Sequence, residues 1–318
     1  MLLFTLDYSY KISAINVNII RLNMEKQTRA YLYACVAVLL WSTIASAFKI
    51  SLRYEKNVLI LLFYASVVAC VFLFLYLLFL NRLKLLKAFT RRDYLRSALL
   101  GFLNPFLYYT VLLKAYSILK AQEAVTLNFI WPIMLVLLSI PILHQRIGLK
   151  SIFAIIISFL GVFVIATEGD VLGFRFTNPI GVLLASGSSV IWALFWIYNV
   201  KDRHDEAVRL FVNFAFGTVF IFLAILLFSD LRIPNRNGFL GAVYVGLFEL
   251  GITFLVWLKA LRLSKTTAHV TNLIYLVPFF ALVIISLVID EKILFSTGIG
   301  LVLIVGGIIL QKFRARPA

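Results

Sequence analysis

Apolar residues run in long blocks along this chain, separated by short polar turns. The blocks fall at roughly 30–50, 58–80, 95–117, 121–143, 149–167, 179–200, 207–228, 238–261, 267–289 and 296–313. A hydrocarbon core takes about 20 apolar residues per helical crossing, and the blocks are near that length. No water inside a bilayer can satisfy backbone groups, so such blocks fold as helices rather than soluble strands. Turns such as Asn81-Arg82, Gly169-Asp170, Asp202-Arg203-His204-Asp205 and Pro234-Asn235-Arg236-Asn237 punctuate them. The pattern predicts an all-α polytopic membrane protein with ten transmembrane helices.

Residues 1–29 break the pattern. They are mixed in character, contain Asp7, and lack a basic start followed by an apolar block, which makes a poor signal peptide. They are expected to form a cytoplasmic tail. Met24 opens Met24-Glu25-Lys26-Gln27-Thr28-Arg29 directly before the first block, so translation starts either at Met24, with an upstream extension, or at Met1, with a short tail.

Composition agrees with this pattern. Of 318 residues, 63% are apolar and 14% charged, with a mean hydropathy of +1.01. Soluble domains sit near 45–50% apolar, so a water-soluble globule, a disordered chain and a disulfide scaffold are excluded. The net charge of +16 would suggest nucleic acid in a soluble protein. Here it marks cytoplasmic loops and contact with lipid headgroups, and no nucleic-acid partner is expected. With the N-terminus inside, the inner segments hold 21 of the 30 Lys and Arg and the outer segments hold 9. This asymmetry predicts both termini in the cytoplasm. Cys35 and Cys70 lie inside apolar runs and read as packing residues; no spacing suggests a metal or a disulfide.

The chain also repeats itself. Leu113-Lys114-Ala115 returns as Leu258-Lys259-Ala260, an offset of 145, and Lys120 and Val125-Thr126 match Lys265 and Val270-Thr271. After one inserted residue, Pro132 matches Pro278, Ile147 matches Ile293, and Gly161 matches Gly307. Trp41 and Trp192 sit in the first block of each half. Five spans that start inside end outside, so the second five run upside-down relative to the first. Inverted repeats are a device of secondary transporters, in which the halves exchange conformations around a midplane site.

Three features carry a resemblance to a known family. They are the first-span Trp in Leu40-Trp41-Ser42 and Ile191-Trp192-Ala193, the fourth-span Pro in Trp131-Pro132 and Val277-Pro278, and the acidic turn Asp290-Glu291-Lys292 leading to Gly306-Gly307. Over about 30–313 the chain resembles the EamA family of the drug/metabolite transporter superfamily. It departs where His144-Gln145-Arg146 replaces a Gly-Glu pattern, and where Ser42 and Ala193 follow the tryptophans. The resemblance implies two five-helix repeats, 30–167 and 178–313, with a short tail at 314–318. It also implies a multi-pass carrier of the cell inner membrane, often an exporter of amino acids or related metabolites.

Glu249 is the sharpest chemical signal. It lies near the centre of the span 238–261, where an ionised acid costs on the order of 2.5–3.5 kcal/mol. Such a residue faces a cavity or a partner, which makes it a candidate proton carrier or substrate-amine ligand. The plainer reading is an interhelical hydrogen bond. The 145-residue offset makes Asn104 its equivalent in the first half, and Pro105 interrupts that helix. Tyr108 and Tyr109 follow one turn on, while Thr253 and Trp257 follow Glu249 on one helix face. With Trp41 and Trp192 they form candidate aromatic walls for a planar or cationic solute, or ordinary packing. Pro132 and Pro278 are expected to kink their spans in the middle, and Asn128, Asn272 and Tyr275 nearby are candidate cavity residues. Glu123 and His269 near span ends read as gates or interfacial side chains.

No nucleophile–base set and no GxxxxGK[ST] loop stand out, so neither an enzyme nor an ATP motor is expected, and no cofactor. The sequence points to a secondary transporter of small solutes, with protons as a possible coupling ion. The rivals are a membrane enzyme acting on a lipid-linked substrate, which would need clustered polar groups, and a passive channel, which needs no inverted duplication.

Overall fold

The computed structural model describes residues 2–119, 127–173, 178–289 and 294–312, and every regular element among them is helical. Seven helical stretches are long and apolar enough to cross a membrane: Glu25–Tyr54, Val58–Phe79, Arg91–Ala115, Leu149–Ala166, Pro179–Lys201, Glu206–Phe228 and Arg236–Leu263. Shorter apolar helices occupy Trp131–Leu143, Thr267–Ala281 and Phe295–Gln311. Large apolar side chains, among them Phe79, Phe153, Leu183, Phe228 and Val302, are exposed on the outer helix faces. A soluble protein does not leave so much contiguous apolar surface uncovered; a polytopic membrane protein covers it with lipid. The expectations for Glu123, for Lys120, for the turn 290–292 and for the tail 314–318 lie outside the described residues.

The helices are α1 (Leu2–Tyr54), α2 (Val58–Phe79), α3 (Arg91–Gly101), α4 (Tyr108–Ile118), α5 (Trp131–Leu143), α6 (Leu149–Ala166), α7 (Pro179–Lys201), α8 (Glu206–Phe228), α9 (Arg236–Val245), α10 (Ile252–Leu263), α11 (Thr267–Thr271), α12 (Leu276–Ile289) and α13 (Phe295–Lys312). One difference from the sequence reading is at the start, where α1 runs on from Leu2 through the stretch expected to be a separate tail.

The polar turn residues begin the helices. Asn57, Asn178, Asp205 and Asn235 each cap the helix that follows, accepting from free backbone N–H groups with their side-chain oxygens. Thr90 and Asp93 form a capping box on α3.

Two long helices are interrupted over six residues. Phe102–Leu107, a kink at which Asn104 is extended, separates α3 from α4, and the π-helical Gly246–Gly251 separates α9 from α10. The two interruptions stand 144 residues apart. The prolines expected to kink their spans stand where helices restart. Pro132 occupies the first turn of α5 and Pro278 the first turn of α12, just after the 3-10 turn Asn272–Tyr275. The reason is local: proline has no N–H and its ring crowds the carbonyl four residues back. The helix therefore stops ahead of each proline and restarts with it where no donor is needed.

The packing comes in matched pairs. The helix α2 lies on α8, and α6 lies on α13. Contacts of α1 with α10 and α12 are answered by contacts of α7 with α4 and α5. Each interruption rests on a helix of the other half, Phe102–Leu107 on α8 and Gly246–Gly251 on α2. The α6–α13 crossing is backbone to backbone. A Cβ on Gly161 would stand 2.5 Å from the Gly300 carbonyl oxygen, and one on Gly300 2.6 Å from that of Gly161. Small residues permit such close approach, which helices in lipid use in place of a hydrophobic driving force.

Polar contacts gather at two ends of the bundle. At one, Arg82 pairs with Asp205 at 2.5 Å, Gln27 donates to Ser264 at 3.2 Å, and the Thr267 N–H donates to Gln145 at 3.0 Å. At the other, Arg232 pairs with Glu55 at 2.6 Å, Asn57 donates to Ser229 at 2.5 Å, and Asn235 donates to the Tyr54 carbonyl at 3.1 Å.

Candidate functional site

Glu249 sits inside the π-helical segment Gly246–Gly251. An inserted residue of this kind re-aims the side chains beside it, and such bulges recur at functional sites. Gly246 lets the segment press on α2: a Cβ there would stand 2.5 Å from the Ala65 carbonyl oxygen. Thr253 turns its hydroxyl back to the Phe248 carbonyl and so serves the widened backbone.

The Glu249 carboxyl is buried, with 7% of the residue exposed. Its Oε1 accepts from the Tyr109 hydroxyl at 2.6 Å, and the Trp41 indole stands within its electrostatic reach. Its Oε2 has no hydrogen-bond partner among the described residues.

The five tryptophans of the chain form one cluster, joined to this acid through Trp41 and, by way of Tyr109, through Trp192. The Trp41 ring is 5.6 Å from Trp257, 6.2 Å from Trp192 and 6.3 Å from Trp131, centroid to centroid. Trp131 is 6.0 Å from Trp192 and 6.1 Å from Trp257, and Trp196 adjoins Trp192 at 5.8 Å. Tilted and edge-on geometries dominate, as the ring quadrupoles prefer. Tyr108 packs on Trp192 at 4.3 Å, and its hydroxyl donates to Asn128 Oδ1 at 3.2 Å. The structure thus brings Glu249, Trp41, Trp192, Trp257, Tyr108 and Asn128 into one neighbourhood.

Asn104 does not join it by hydrogen bonding. It holds an extended backbone (φ −153°, ψ 124°) ahead of a cis peptide to Pro105, is fully buried, and neither end of its amide has a partner among the described residues. Tyr109, five residues on, makes the contact to Glu249 instead. Asn272 is buried with its amide likewise unpartnered. Tyr275 belongs to a second cluster with Val136, Ile155, Val162 and Ile304, its ring 6.4 Å from Phe159. Neither is part of the tryptophan neighbourhood by any contact described. Trp131, read from sequence only as half of a Trp-Pro pair, is central to it.

A second polar cluster escaped the sequence reading, which counted Arg209 only as loop charge. Arg209 is fully buried near the start of α8. It donates to Asp202, to the Asp93 carbonyl at 2.9 Å and to Ser97 at 2.8 Å, and its guanidinium lies 5.0 Å from the Phe89 ring centre. Burial pushes the Asp202 carboxyl up, yet the hydrogen bonds from Arg209 and from the His204 N–H outweigh it and hold the group below the ordinary carboxylate value. Arg262 closes the same end, donating to the carbonyls of Asn199, Asp202 and His204.

Residues 28–167 and 179–311 both match the EamA-like transporter family. An uncharacterized transporter of Clostridium kluyveri is 25% identical over 70% of this chain and 73% of its own length. The uncharacterized transporter YvbV of Bacillus subtilis is 28% identical over 70% of this chain and 72% of its own length. A crystal structure superposes with a TM-score of 0.76 over 90% of this chain and 96% of the other, at 20% identity, a likeness of fold. The chain belongs to the EamA-like transporter family, and it is a membrane transporter.

Proposed function

We propose that this member of the EamA-like transporter family is a secondary transporter that moves small organic metabolites across the cell inner membrane by alternating access. Its two halves, 30–167 and 178–313, form ten spans as two inverted five-helix repeats. They enclose one site at the depth of Glu249.

The observation that carries the proposal is the reciprocity of the packing. Each interruption rests on the second helix of the other half, and each first helix lies against the third and fourth spans of the other half. Reciprocal contacts of this kind favour two equivalent units related by a twofold axis. The two polar ends support the inversion. The turn after α2 bonds at one end and the matching turn after α8 bonds at the other. The excess of Lys and Arg on the first of these ends favours its lying in the cytoplasm.

In this mechanism each residue has a role. Glu249 binds the solute or a coupling proton with the oxygen that Tyr109 leaves free. Trp41 and Trp131 come from one half, Trp192 and Trp257 from the other. Rocking the halves opens the aromatic cluster toward one side and then the other, so the indoles are both wall and gate. The interruptions at 102–107 and 246–251 supply the joints, since a broken hydrogen-bond ladder bends where a continuous one does not.

The test is a panel of solutes offered to proteoliposomes holding the purified protein, with and without a pH gradient. Accumulation above the external concentration supports a carrier. Equilibration alone would make it a channel, and chemical conversion of a solute would make it an enzyme.

A further inference from the structure

We infer that the solute held at Glu249 is a monovalent organic cation, an amine on an apolar or aromatic body that carries no carboxylate. This rests on the transporter reading above and names the substrate class of that same site.

The first ground is charge. Glu249 Oε2 has no hydrogen-bond partner among the described residues, and no Lys or Arg among them forms an ion pair with this acid. Arg209, the one fully buried cation described, is bound by Asp202, Ser97 and the Asp93 carbonyl at the far polar end. Lys259, two residues beyond Trp257, reaches the Tyr76 hydroxyl at 3.4 Å and lies over the rings of Tyr33 and Tyr76. An acid in a low-dielectric interior takes up a proton or needs a counter-charge, and a solute that exchanges with the proton must bring that charge itself. A monocation supplies one and leaves the site neutral. A zwitterion brings a second carboxylate to a site whose only formal charge is already negative.

The second ground is the surround. The faces of Trp41, Trp131, Trp192 and Trp257 carry negative quadrupole potential, which attracts ammonium groups. In this conformation the rings cover one another at 5.6–6.3 Å. An amine entering as the halves part exchanges ring–ring contact for cation–ring contact, so the cluster need not pay for exposing its faces. The indole N–H groups of Trp192 and Trp257 are unpartnered among the described residues, and they offer neutral donors to a hydroxyl or a carboxylate. Among solute groups, however, only the amine compensates the ionised acid.

Calorimetric titration of the purified full-length chain in detergent separates these cases. The ligands are 2-phenylethylamine, phenylalanine and 2-phenylethanol, which share a ring and differ in charge. Binding of the amine at least tenfold tighter than either of the others supports the inference, and Glu249→Gln should bring the amine down to the level of the alcohol. Equal or tighter binding of phenylalanine overturns it, as does absence of amine binding by the wild-type chain, a result that depends on no variant. If the amine binds yet proteoliposomes never accumulate a solute, the transporter reading fails and this inference stands. If phenylalanine binds more tightly and is accumulated, the reverse holds.

Discussion

The Tyr109 hydroxyl donates to Glu249 across 140 positions of chain, at 2.6 Å and buried within the bundle. It is a direct link between the two halves at the interrupted helices, because Tyr109 begins α4 just after one break and Glu249 lies within the other.

Tyr109→Phe removes this hydrogen bond and keeps the ring. Interhelical hydrogen bonds in lipid are worth about 0.6–2 kcal/mol, so the variant should fold and lose only that much stability in thermal unfolding. Solute uptake should change more, with KM raised several-fold, because both Glu249 oxygens then lack a fixed partner. An unchanged KM would make the contact purely structural.

Trp192 touches Trp41, Trp131, Trp196, Tyr108 and Phe254. Trp192→Ala leaves a cavity where these rings converge, and large-to-small changes of this kind cost about 3–5 kcal/mol. Trp192→Phe should cost clearly less. Thermal melts of the two variants decide it: equal stability would mean that the cluster is not packed as described.

The Asp202 carboxyl is held below its ordinary value in the folded chain. A group of this sign contributes stability above the unfolded value, about 3.9 for Asp, and loses it as pH falls through the lowered folded value. Asp202→Asn should therefore destabilise the chain at neutral pH and flatten the acid limb of its stability profile. Removing the partner is worse. Arg209→Leu leaves the half-buried Asp202 without its guanidinium and should cost more than Asp202→Asn, though less than the ~3–5 kcal/mol of a fully buried pair. Melting temperature followed from pH 3 to 7 checks both, and an acid limb equally steep in wild type and Asp202→Asn would refute the pairing.

The α2–α8 pair is tied at both ends, by Asn57 to Ser229 and by Arg82 to Asp205. Each tie joins the residue that starts one helix to the turn that ends the other. The two helices belong to opposite halves, so rocking of the halves must open or turn these ties, and a disulfide placed at either one should cut transport at least tenfold, with recovery on reduction. Undiminished transport with the disulfide formed would contradict rocking of the halves.

The spans were legible because a bilayer demands long apolar runs, and the polar turns between them proved to be the capping residues Asn57, Asn178, Asp205 and Asn235. Glu249 was legible because an acid in such a run is costly. The partners were not. Tyr108 and Tyr109 are adjacent and chemically alike, and only the three-dimensional turn of α4 decides which one meets the acid. Trp131 was hidden by the proline beside it. Asn104 matches Glu249 by offset, but repeat equivalence fixes depth and not contact. Arg209 was counted as solvated loop charge, since a sequence records where a charge falls and says nothing of what closes over it. The helix breaks left faint marks, Asn104-Pro105 in one half and Gly246 and Gly251 in the other. Their form, a kink at Asn104 in one and a π-helical turn in the other, depends on the helices packed against them.

If the two halves lie upside-down to one another, matched turns face opposite sides of the membrane, and side-specific labelling reads this out. Lys84, after α2, and Asp230, after α8, are exposed and occupy equivalent places in the two halves. Each is replaced by cysteine in a chain whose Cys35 and Cys70 have been changed to serine, and intact cells are treated with a membrane-impermeant maleimide. The account predicts labelling at 230 from outside, and at 84 only after the membrane is opened. Labelling of both positions from the same side would contradict it.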